Sequence, residues 1–534
     1  MADARPCVRC RTAPGVVPVR EAVYCAACYS RVFAEKTRAS LELVRGAVLL
    51  QSVVEPWAAE RAPPPPAFAV AFSGGTASCA LLHAIAQSFQ SGGQPYVPAR
   101  APEFARIDAL FVDDGQMPVA DAERLAARLA PNATFVPLRL DSVYDRGGVA
   151  CTLEPRGGPR WLAEQPTSCA DTPAALHTLL DAVHPASTPR TGVAAARTRA
   201  EDVRALFVHR VLLDAARERG CAALLYGHSA ARTAALLLEG LAKGAGHKLP
   251  IESAPSQWWA GERDVLVVHP LRTHLPTELA YYASAHGFGA PPDAHKDWSY
   301  EANADKSSIG RLTQSLVDSL QHGVSSTVST VAGTGAKLVY RADPVWEVHG
   351  GADAPSASAP AVPLARAEPP RDAPRDYPRI GAKGEALVRA AQHANRYDVH
   401  AEPHVCPLCL YPAQRGAAEW RAARSVTTHD APARARDALD LRTRLCYSCL
   451  QVLDVPEPPA HAPAQAAAEL LLPRYVLDAV QPRVRAARAV RVPEAPDDAA
   501  PAPNEPHVPG GRASHAAVPV SRDAMRASVA SYLL

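Results

Sequence analysis

The stretch Ala67–Ser78 reads AFAVAFSGGTAS and decides the fold of this 534-residue chain. An apolar run ends at Ser73-Gly74-Gly75, and a helical pattern of apolar residues begins near Ser78. A strand, a glycine turn and a helix in this order present backbone N–H groups and a helix N-terminus to a phosphate. Glycine permits the positive φ that such a turn needs. We therefore predict a nucleotide-binding loop whose contacts are Ser73, Gly74, Gly75 and Ser78.

Four further apolar runs alternate with helical patterns after this stretch. They cover residues 107–112, 134–138, 222–226 and 264–268. Strands that alternate with helices form a parallel sheet covered on both faces, and ligands bind at the carboxyl ends of the strands. The chain is therefore predicted to be α/β, with a doubly wound parallel sheet of five strands. Asp113 follows the second strand at this edge, either as a ligand for a ribose or Mg²⁺ or as a turn residue.

Proline-rich stretches and cysteine pairs divide the chain into parts, with 51 prolines in all. Pro-rich, polar composition is typical of linkers without a packed core. Residues 521–534 show a short amphipathic helical pattern. We predict an N-terminal zinc module at 1–45, a spacer at 46–66, the α/β domain at 67–345 with an irregular insertion at 141–200, a mostly disordered linker at 346–400, a C-terminal zinc module at 401–455 and a helical or disordered tail at 456–534.

Charge and the N-terminal sequence indicate where the protein works. The formal net charge is +2, so the chain as a whole is not a polycation. The N-terminus, MADARPCVRC, has no apolar signal core, and no run has the apolar length of a membrane span. We therefore expect a cytoplasmic protein without a membrane partner. In that compartment its 12 cysteines are thiols or metal ligands rather than disulfides.

Eight of the cysteines form four C-x-x-C pairs, two near each end of the chain. Two such pairs can complete a closed tetrahedral Cys₄ site, which is typical of structural zinc. A redox dithiol or unpaired buried thiols are the alternatives. The sequence predicts two zinc-ribbon-like modules, with the ligands Cys7, Cys10, Cys25 and Cys28 in the first and Cys406, Cys409, Cys446 and Cys449 in the second.

Two of the other cysteines are candidates for a reactive thiol. Cys151 and Cys169 lie in the irregular stretch, where exposure is plausible, and a nucleophilic thiol must be accessible. Cys79 and Cys221 fall in a helical and a strand-like pattern, which favours core packing.

Basic residues near two of these features suggest contact with RNA. Arg9 and Arg11 lie in the N-terminal cysteine module, and Lys243 and Lys248 flank a Gly-rich turn. Arginine and lysine at such places can hold a phosphate backbone. An ordinary solvated surface and a flexible helix end are the alternatives. His228, after the fourth strand, is either a nucleotide contact or a loop residue.

Two resemblances extend this interpretation. The turn SGGTAS resembles the S-G-G-x-D-S loop of N-type ATP pyrophosphatases, with Ala77 where that family carries Asp. Over nearly its whole length the chain is similar to the second subunit of the cytoplasmic tRNA 2-thiolation complex. The motifs that carry this similarity are both sets of cysteine pairs, TRAEDV at 198–203, YGHSAARTAALLLEGLAKGAG at 226–246 and HPLR at 269–272.

The resemblance implies a PP-loop sheet of the HUP type and a role in modifying tRNA. Proteins of this family pair with a catalytic paralogue, and together they thiolate the wobble uridine of cytosolic tRNAs. ATP activates the uridine by adenylation, and a ubiquitin-related carrier protein delivers sulfur as a thiocarboxylate. The resemblance thus implies tRNA, the paralogue and the sulfur carrier as partners, with Mg²⁺–ATP used by the paralogue.

Departures from the catalytic pattern indicate that the active site of this chain is incomplete. Catalytic relatives carry G-H-N-x-D-D after the fourth strand, where this chain has GHSAAR at 227–232. They also carry a close cysteine pair, whereas Cys151 and Cys169 are 18 positions apart. Loss of carboxylates weakens the placement of Mg²⁺–ATP. Two alternatives stay open, namely an autonomous ATP-dependent tRNA sulfurtransferase and a non-enzymatic zinc-ribbon scaffold for RNA or protein.

Overall fold

A computed structural model describes most of the chain, and the account below concerns those residues. The predicted amphipathic segment 521–534, and most of the predicted linker at 346–400, lie outside them. No helix within the described part combines the length and apolar character needed to cross a bilayer. The described residues are 5–19, 22–54, 67–90, 106–154, 158–163, 165–185, 192–260, 264–289, 307–323, 325–338, 340, 386, 395–400, 402, 404–414, 417–418, 440–453 and 468–481.

The first half of the chain contains a hairpin, a long helix and the start of an alternating α/β unit. In chain order the elements are β1 (Val17–Val19), β2 (Ala22–Tyr24), α1 (Ala26–Val54), β3 (Ala67–Ala71), α2 (Thr76–Gln90), β4 (Ile107–Asp113), α3 (Val119–Leu129), β5 (Thr134–Arg139), β6 (Gly148–Glu154), β7 (Gly158–Leu162), α4 (Thr172–Val183) and α5 (Val193–Glu218).

The second half completes the alternating unit and adds helices and short strands. Its elements are β8 (Cys221–Tyr226), α6 (Ala230–Ala242), α7 (Leu249–Glu252), β9 (Ser256–Trp259), β10 (Val265–Val268), α8 (Pro276–Ala285), α9 (Ile309–Gly323), α10 (Ser325–Gly335), β11 (Asn395–Tyr397), α11 (Tyr447–Val452), β12 (Ala468–Pro473) and a final helix α12 at 474–481.

The main sheet has seven strands in the order β11-β9-β10-β8-β3-β4-β5. Five adjacent strands of this sheet are parallel to one another, in the order β10-β8-β3-β4-β5. The chain runs from β3 outward through β4 to β5, and then returns to the other side of β3 with β8 and β10. The strand order therefore reverses between β3 and β8, and ligands of such sheets bind outside the carboxyl ends at this point.

Hydrophobic residues cover both faces of the sheet. One face packs against α1, α2, α3 and α8, with Phe68 and Val70 of β3 fully buried. The opposite face packs against α5 and the C-terminal cysteine region, with Leu110 and Phe207 in the same cluster. Helices on both faces explain why the strands read as continuous apolar runs rather than as alternating patterns.

The five predicted strands are all present, but the predicted number of five strands in the sheet was wrong. β9 pairs antiparallel with β10, and β11 pairs parallel with β9, so two short strands extend one edge. β11 has three residues and comes from within 346–400, which the composition assigned to a linker. A strand this short has no period of its own, and it is ordered by pairing with residues that lie far away in the chain.

The prediction of an irregular insertion at 141–200 was also wrong. This range contains β6, β7, α4 and the first turns of α5. β6 pairs with β12, which comes from the range predicted to be a helical or disordered tail, and the Tyr144 hydroxyl donates to the Leu471 carbonyl at 2.9 Å. The order of this region thus depends on a partner about 300 residues away. The predicted spacer at 46–66 likewise begins later, because α1 continues to Val54.

A buried ion cluster holds the amino ends of the central strands. Asp108 in β4 is fully buried, and its two oxygens accept from Arg106 Nε at 2.8 Å and Arg219 Nε at 2.7 Å. Burial opposes ionisation of this carboxyl, but the hydrogen bonds from Arg219 and Arg106 outweigh it and lower the pKa of Asp108. The cluster ties β4 to the end of α5 at the edge opposite the predicted site.

Candidate functional site

The SGG turn lies at the carboxyl end of β3, as the sequence predicted. Gly74 has a φ of 76°, and a Cβ there would meet the Met117 sulfur at 2.6 Å. The Ser78 hydroxyl donates to the Gly75 carbonyl at 2.9 Å and lies 3.2 Å from the Ser73 hydroxyl. α2 begins directly after the turn, at Thr76. The loop is thus a short glycine-dependent turn that leads into a helix N-terminus, a geometry suited to an anion.

A second helix begins beside this turn. A Cβ added to Gly227, just after β8, would lie 2.9 Å from the backbone nitrogen of Ser78. α6 begins three residues later, at Ala230. The Ser229 hydroxyl caps this helix by accepting from the Arg232 N–H at 3.2 Å. The N-terminal ends of α2 and α6 therefore meet at the point where the strand order reverses. Two helix N-termini place two partial positive charges there.

No acidic residue lies in the first turn of either helix. Ala77 occupies the first turn of α2, and Ala231 and Arg232 occupy the first turn of α6. Asp113, at the end of β4, accepts from the Gly115 N–H at 3.0 Å and so stabilises a turn. The turn role that the sequence left open for Asp113 is thus seen. Carboxylates are the ligands that Mg²⁺ prefers, and this edge offers few of them.

A group of rings lies next to the two helix ends. The imidazoles of His228 and His269 stack with centroids 5.1 Å apart, and Tyr226 is 5.3 Å from His228 and 5.6 Å from His269. The Tyr226 hydroxyl is 2.8 Å from His209 Nδ1. Burial lowers the pKa of His269 to about 4 and that of His228 well below its ordinary value. Both imidazoles are therefore neutral at pH 7.

Of this group of rings, only His228 was predicted from the sequence as a candidate nucleotide contact. His269 was noted within HPLR but not as part of a site, although it directly follows β10 at the same edge as His228. That position at a strand end is the signal that could have identified it, since carboxyl ends of parallel strands meet at one edge. The stacking of the two rings could not be foreseen without the pairing of β8 and β10.

The N-terminal cysteine cluster brings its four predicted ligands together. All four sulfur atoms lie within 4.8 Å of one another. Cys7 and Cys10 belong to a tight turn in which the Arg11 N–H donates to the Cys7 carbonyl at 2.8 Å, with Arg11 at a φ of 60°. Cys25 and Cys28 instead lie at the start of α1, after the hairpin β1–β2. The site is therefore one turn plus one helix start.

The C-terminal cluster repeats this construction. Its four sulfur atoms also lie within 4.8 Å of one another, and all four residues are buried. The Leu410 N–H donates to the Cys406 carbonyl at 2.8 Å, and Leu410 also has a φ of 60°. Cys446 is the N-cap of α11, which contains Cys449. The second cysteine pair in each cluster thus lies at the start of a helix.

Both clusters fit a tetrahedral metal ion. Four thiolates about 2.3 Å from an ion are about 3.8 Å apart. The distance between Cys10 Sγ and Cys25 Sγ is 3.9 Å, and that between Cys409 Sγ and Cys446 Sγ is 3.8 Å. A hydrogen bond from Thr12 is the main cause that lowers the pKa of the Cys10 thiol to about 5, which favours the thiolate needed for metal binding. Four protein ligands leave no open position for substrate.

The Gly-rich turn that the sequence assigned to RNA packs against the C-terminal cluster instead. Lys243 is 8% exposed, and its Nζ lies 2.5 Å from both Asp202 Oδ1 and Glu239 Oε1. Lys248 Nζ pairs with Glu252 at 2.7 Å and lies over the Tyr411 ring. Both ammonium groups are thus held by neighbouring carboxylates, which contradicts the prediction that they face a polyanion.

The turn itself is shaped to receive the cysteine region. Gly244 has a φ of 67°, and a Cβ there would lie 2.5 Å from the Tyr447 ring. The Gln414 amide bridges His247 Nδ1 at 2.7 Å and the Tyr447 N–H at 3.2 Å. The glycine and the basic residues therefore join α6 to the C-terminal cluster. The sequence pattern for a flexible phosphate-binding turn and for a tight packing turn is the same.

The N-terminal arginines have a different setting. Arg9 is exposed and forms an ion pair with Glu35 at 2.8 Å, while Arg11 is exposed at the tip of the cysteine turn. A surface ion pair of this kind contributes little energy and opens easily. A contact of these two residues with RNA stays a prediction.

The two candidate catalytic thiols differ in their setting. Cys151 lies in β6, is 1% exposed, and burial raises its pKa to about 12. A thiol in this state is neither ionised at pH 7 nor accessible, so the structure contradicts a catalytic role for Cys151. Cys169 is partly exposed just before α4.

Comparison with known proteins connects this architecture to one family. A family model described as "Cytoplasmic tRNA 2-thiolation protein 2" matches residues 308–451, which include α9, α10 and the C-terminal cluster. Relatives with this name are 25% identical over 363 residues in Danio rerio, covering 62% of this chain and 67% of that protein, and 26% identical over 369 residues in Bos taurus, covering 62% and 68%. The Homo sapiens protein of the same name is 36% identical over 129 residues, covering 24% of each chain.

One solved structure covers 62% of this chain and 86% of its own, at 12% identity and a TM-score of 0.37. It is described as the U34-tRNA thiolase NcsA from Methanococcus maripaludis with its [4Fe-4S] cluster. The family match and the relatives that share its name show that this chain is similar to cytoplasmic tRNA 2-thiolation protein 2.

Proposed function

We propose that this chain is the non-catalytic subunit of an enzyme that 2-thiolates the wobble uridine of cytosolic tRNAs. A catalytic paralogue of the same fold supplies the active site, and a ubiquitin-related carrier supplies sulfur as a thiocarboxylate. The similarity to cytoplasmic tRNA 2-thiolation protein 2 supports a role in tRNA 2-thiolation. The division of labour between two subunits is the part that this proposal adds.

The observation that carries the proposal is a glycine turn beside two helix N-termini whose first turns carry no acidic residue. The turn at Gly74, the two converging helix N-termini and the reversal of strand order all favour binding of a phosphate. Adenylation also requires Mg²⁺ to be held on ATP, and in catalytic relatives carboxylates of these two helices serve that purpose. Here Ala77, Ala231 and Arg232 stand in their place. Such a site supports binding of a nucleotide or phosphate by Ser73, Gly74, Gly75 and Ser78, but not efficient activation of ATP.

The two cysteine clusters are proposed to hold zinc with a structural role. Four thiolates at tetrahedral spacing suit Zn²⁺, and bound zinc would cross-link chain segments that are far apart in sequence. In the C-terminal cluster this joins residues 406–409 to 446–449, and with them β11 and the turn after α6. Closed coordination argues that neither cluster delivers the sulfur that is transferred.

The N-terminal cluster offers the better surface for tRNA. Arg9 and Arg11 are exposed on its cysteine turn, whereas Lys243 and Lys248 are occupied by carboxylates. We therefore restrict the proposed RNA contact of this chain to the two arginines.

Two experiments test the function. Depletion of this protein, followed by mass spectrometry of tRNA nucleosides, should remove the 2-thio group from wobble uridine and leave other modifications of that base in place. Unchanged 2-thiouridine would refute the proposal.

The division of labour is tested with purified subunits. This chain with tRNA, Mg²⁺–ATP and a sulfur donor should give no thiolated product, and addition of the paralogue should start turnover. A Gly74→Val variant, which cannot adopt the turn without strain, should weaken nucleotide binding by this chain, while Gly246→Ala, in open space, serves as the control. Robust thiolation by this chain alone would favour an autonomous enzyme.

A further inference from the structure

Helix α9 has an apolar surface on two sides. Its inner side packs against α6 and α10, where Val317 is 1% exposed and Thr313 is buried. The flank next to this buried side carries Leu312 and Leu316, each 50% exposed. Residues four apart on a helix are neighbours on one face, so these two leucines form a continuous stripe.

This stripe is unusual within the described part of the chain. Six large apolar side chains are exposed there, and the other four are spread over the N-terminal cysteine module, the start of α5 and the end of α6. Leu312 and Leu316 alone among the six lie one turn apart on the same helix. Paired exposed leucines on an otherwise ordered helix mark a docking face more strongly than scattered ones.

We propose that the segment 521–534 of the same chain docks as a helix on the Leu312/Leu316 stripe. Its sequence is SRDAMRASVASYLL. Met525, Val529 and Leu533 recur every four residues, which places them on one face of a helix. An amphipathic helix of this kind binds by laying its apolar face on an exposed apolar surface.

The end of α12 at residue 481, after which the C-terminal residues continue, lies close enough to α9 for this contact. Arg210 of α5 lies over the ring of Tyr475 in α12, and Thr198 of α5 accepts from the Ile309 N–H at the start of α9. Twelve residues along one helix correspond to about 18 Å, so α12 and the start of α9 are separated by roughly this distance. Between residues 481 and 521 lie 39 residues, and a random coil of that length has a root-mean-square end-to-end distance of about 34 Å, which exceeds the separation.

Tethering also decides between this occupant and a second molecule. A covalent tether of this number of residues gives an effective local concentration on the order of 1 mM. If the contact has a dissociation constant of about 0.1 mM, docked molecules outnumber undocked ones about tenfold at this local concentration. A second copy of the chain at micromolar concentration would remain unbound. A tethered contact can be small, and the stripe is only two leucines long. The apolar face formed by Met525, Val529 and Leu533 is of matching size.

Photo-crosslinking in the full-length protein tests the proposal. A benzophenone amino acid at position 316 should give an intramolecular cross-link to the peptide 521–534, read by mass spectrometry of the monomer. The same amino acid at position 16, where Val16 is equally exposed but lies in the N-terminal module, should not. Cross-linking between two molecules, or to none, overturns the proposal.

Hydrogen exchange provides the second measurement. Truncation after residue 520 should speed amide exchange in the α9 peptide by up to about tenfold, as expected for loss of a contact of this strength. Val529→Asp in the full-length chain should reproduce the effect, and Ser531→Asp, on the face of such a helix away from Met525, Val529 and Leu533, should not. Exchange in α9 that is identical in all four proteins overturns the proposal, whatever the outcome of the thiolation assays.

Discussion

Replacement of Lys243 by methionine separates a structural lysine from one that binds RNA. Lys243→Met keeps most of the apolar stem but removes the ammonium that two carboxylates share. The Lys243, Asp202 and Glu239 side chains are 10%, 22% and 16% exposed, so water cannot replace the lost charge well. Removing one partner of a buried ion pair costs about 3–5 kcal/mol. We take the lower end, about 3 kcal/mol, because both carboxylates keep some contact with water.

The assay is thermal unfolding of the full-length protein. A loss of 3 kcal/mol corresponds to a fall in Tm of about 6–12 °C for a domain of roughly 150–250 residues. Lys337→Met is the matched control, since Lys337 is exposed near the end of α10, and it should leave the Tm unchanged. RNA affinity of Lys243→Met, measured below its Tm, should equal that of the native protein. A native Tm combined with weakened RNA binding would refute the assignment.

The loss should also depend on pH. Burial is the main cause that raises the pKa of Asp202, so its folded state takes up a proton more readily than the unfolded chain does. A group whose folded pKa is raised contributes stability at low pH and loses it as the pH rises through the folded pKa. Without Lys243 this effect is no longer offset, so the variant should lose more stability at pH 8 than at pH 5. A loss that is independent of pH would mean that Asp202 turns to solvent.

Three further predictions concern the metal clusters, the core and the RNA surface. Cys446→Ser should lower the zinc content by one equivalent and destabilise the main domain. Cys25→Ser should also lower it by one equivalent, but unfolding should be confined to the N-terminal module. Elemental analysis measures the zinc and limited proteolysis locates the unfolding, and full zinc retention would contradict the assignment. Asp108→Asn should cost about 2–3 kcal/mol in urea unfolding, less than a fully buried pair because its arginines are about one-third exposed. Since the pKa of Asp108 is lowered, this stability is present at neutral pH and is lost only as the pH falls below the ordinary carboxylate range. Joint replacement of Arg9 and Arg11 by alanine should weaken tRNA binding and reduce the salt slope by about two, one per phosphate contact, and an unchanged slope would place the RNA elsewhere.

The two cysteine clusters share one local design but differ in what they support. Each combines a tight turn, closed by a residue at a φ of 60°, with a helix start. The N-terminal cluster is partly exposed and begins α1, whose Tyr29 donates to the Glu278 carbonyl of α8 at 2.9 Å. The C-terminal cluster is buried in the same hydrophobic core as α5 and the main sheet. Metal loss at the second site should therefore disturb the sheet more than loss at the first.

Contacts between rings connect the C-terminal cluster to the candidate nucleotide edge. Tyr411, two residues after Cys409, lies 5.1 Å from Trp259 in β9, and Trp259 lies 5.2 Å from His209. His209 in turn is hydrogen-bonded to Tyr226 beside His228. The antiparallel strand β9, absent from the sequence prediction, is thus the element through which the cysteine region reaches the edge of the parallel sheet.

Local sequence determined the elements that carry their own signal. The apolar run and glycines of Ala67–Ser78, the four later strands and the four cysteine pairs were all identified, because period, turn chemistry and C-x-x-C spacing act over a few residues. Tertiary structure decided everything that depends on a distant partner. β12 orders β6 across some 300 residues. Asp202, 41 positions from Lys243, draws that phosphate-binding candidate into a buried ion pair, and the pairing of β6 with distant strands makes Cys151 a core residue. The physical reason is that burial and charge pairing depend on which groups meet in space, and a sequence window of ten or twenty residues does not contain those groups.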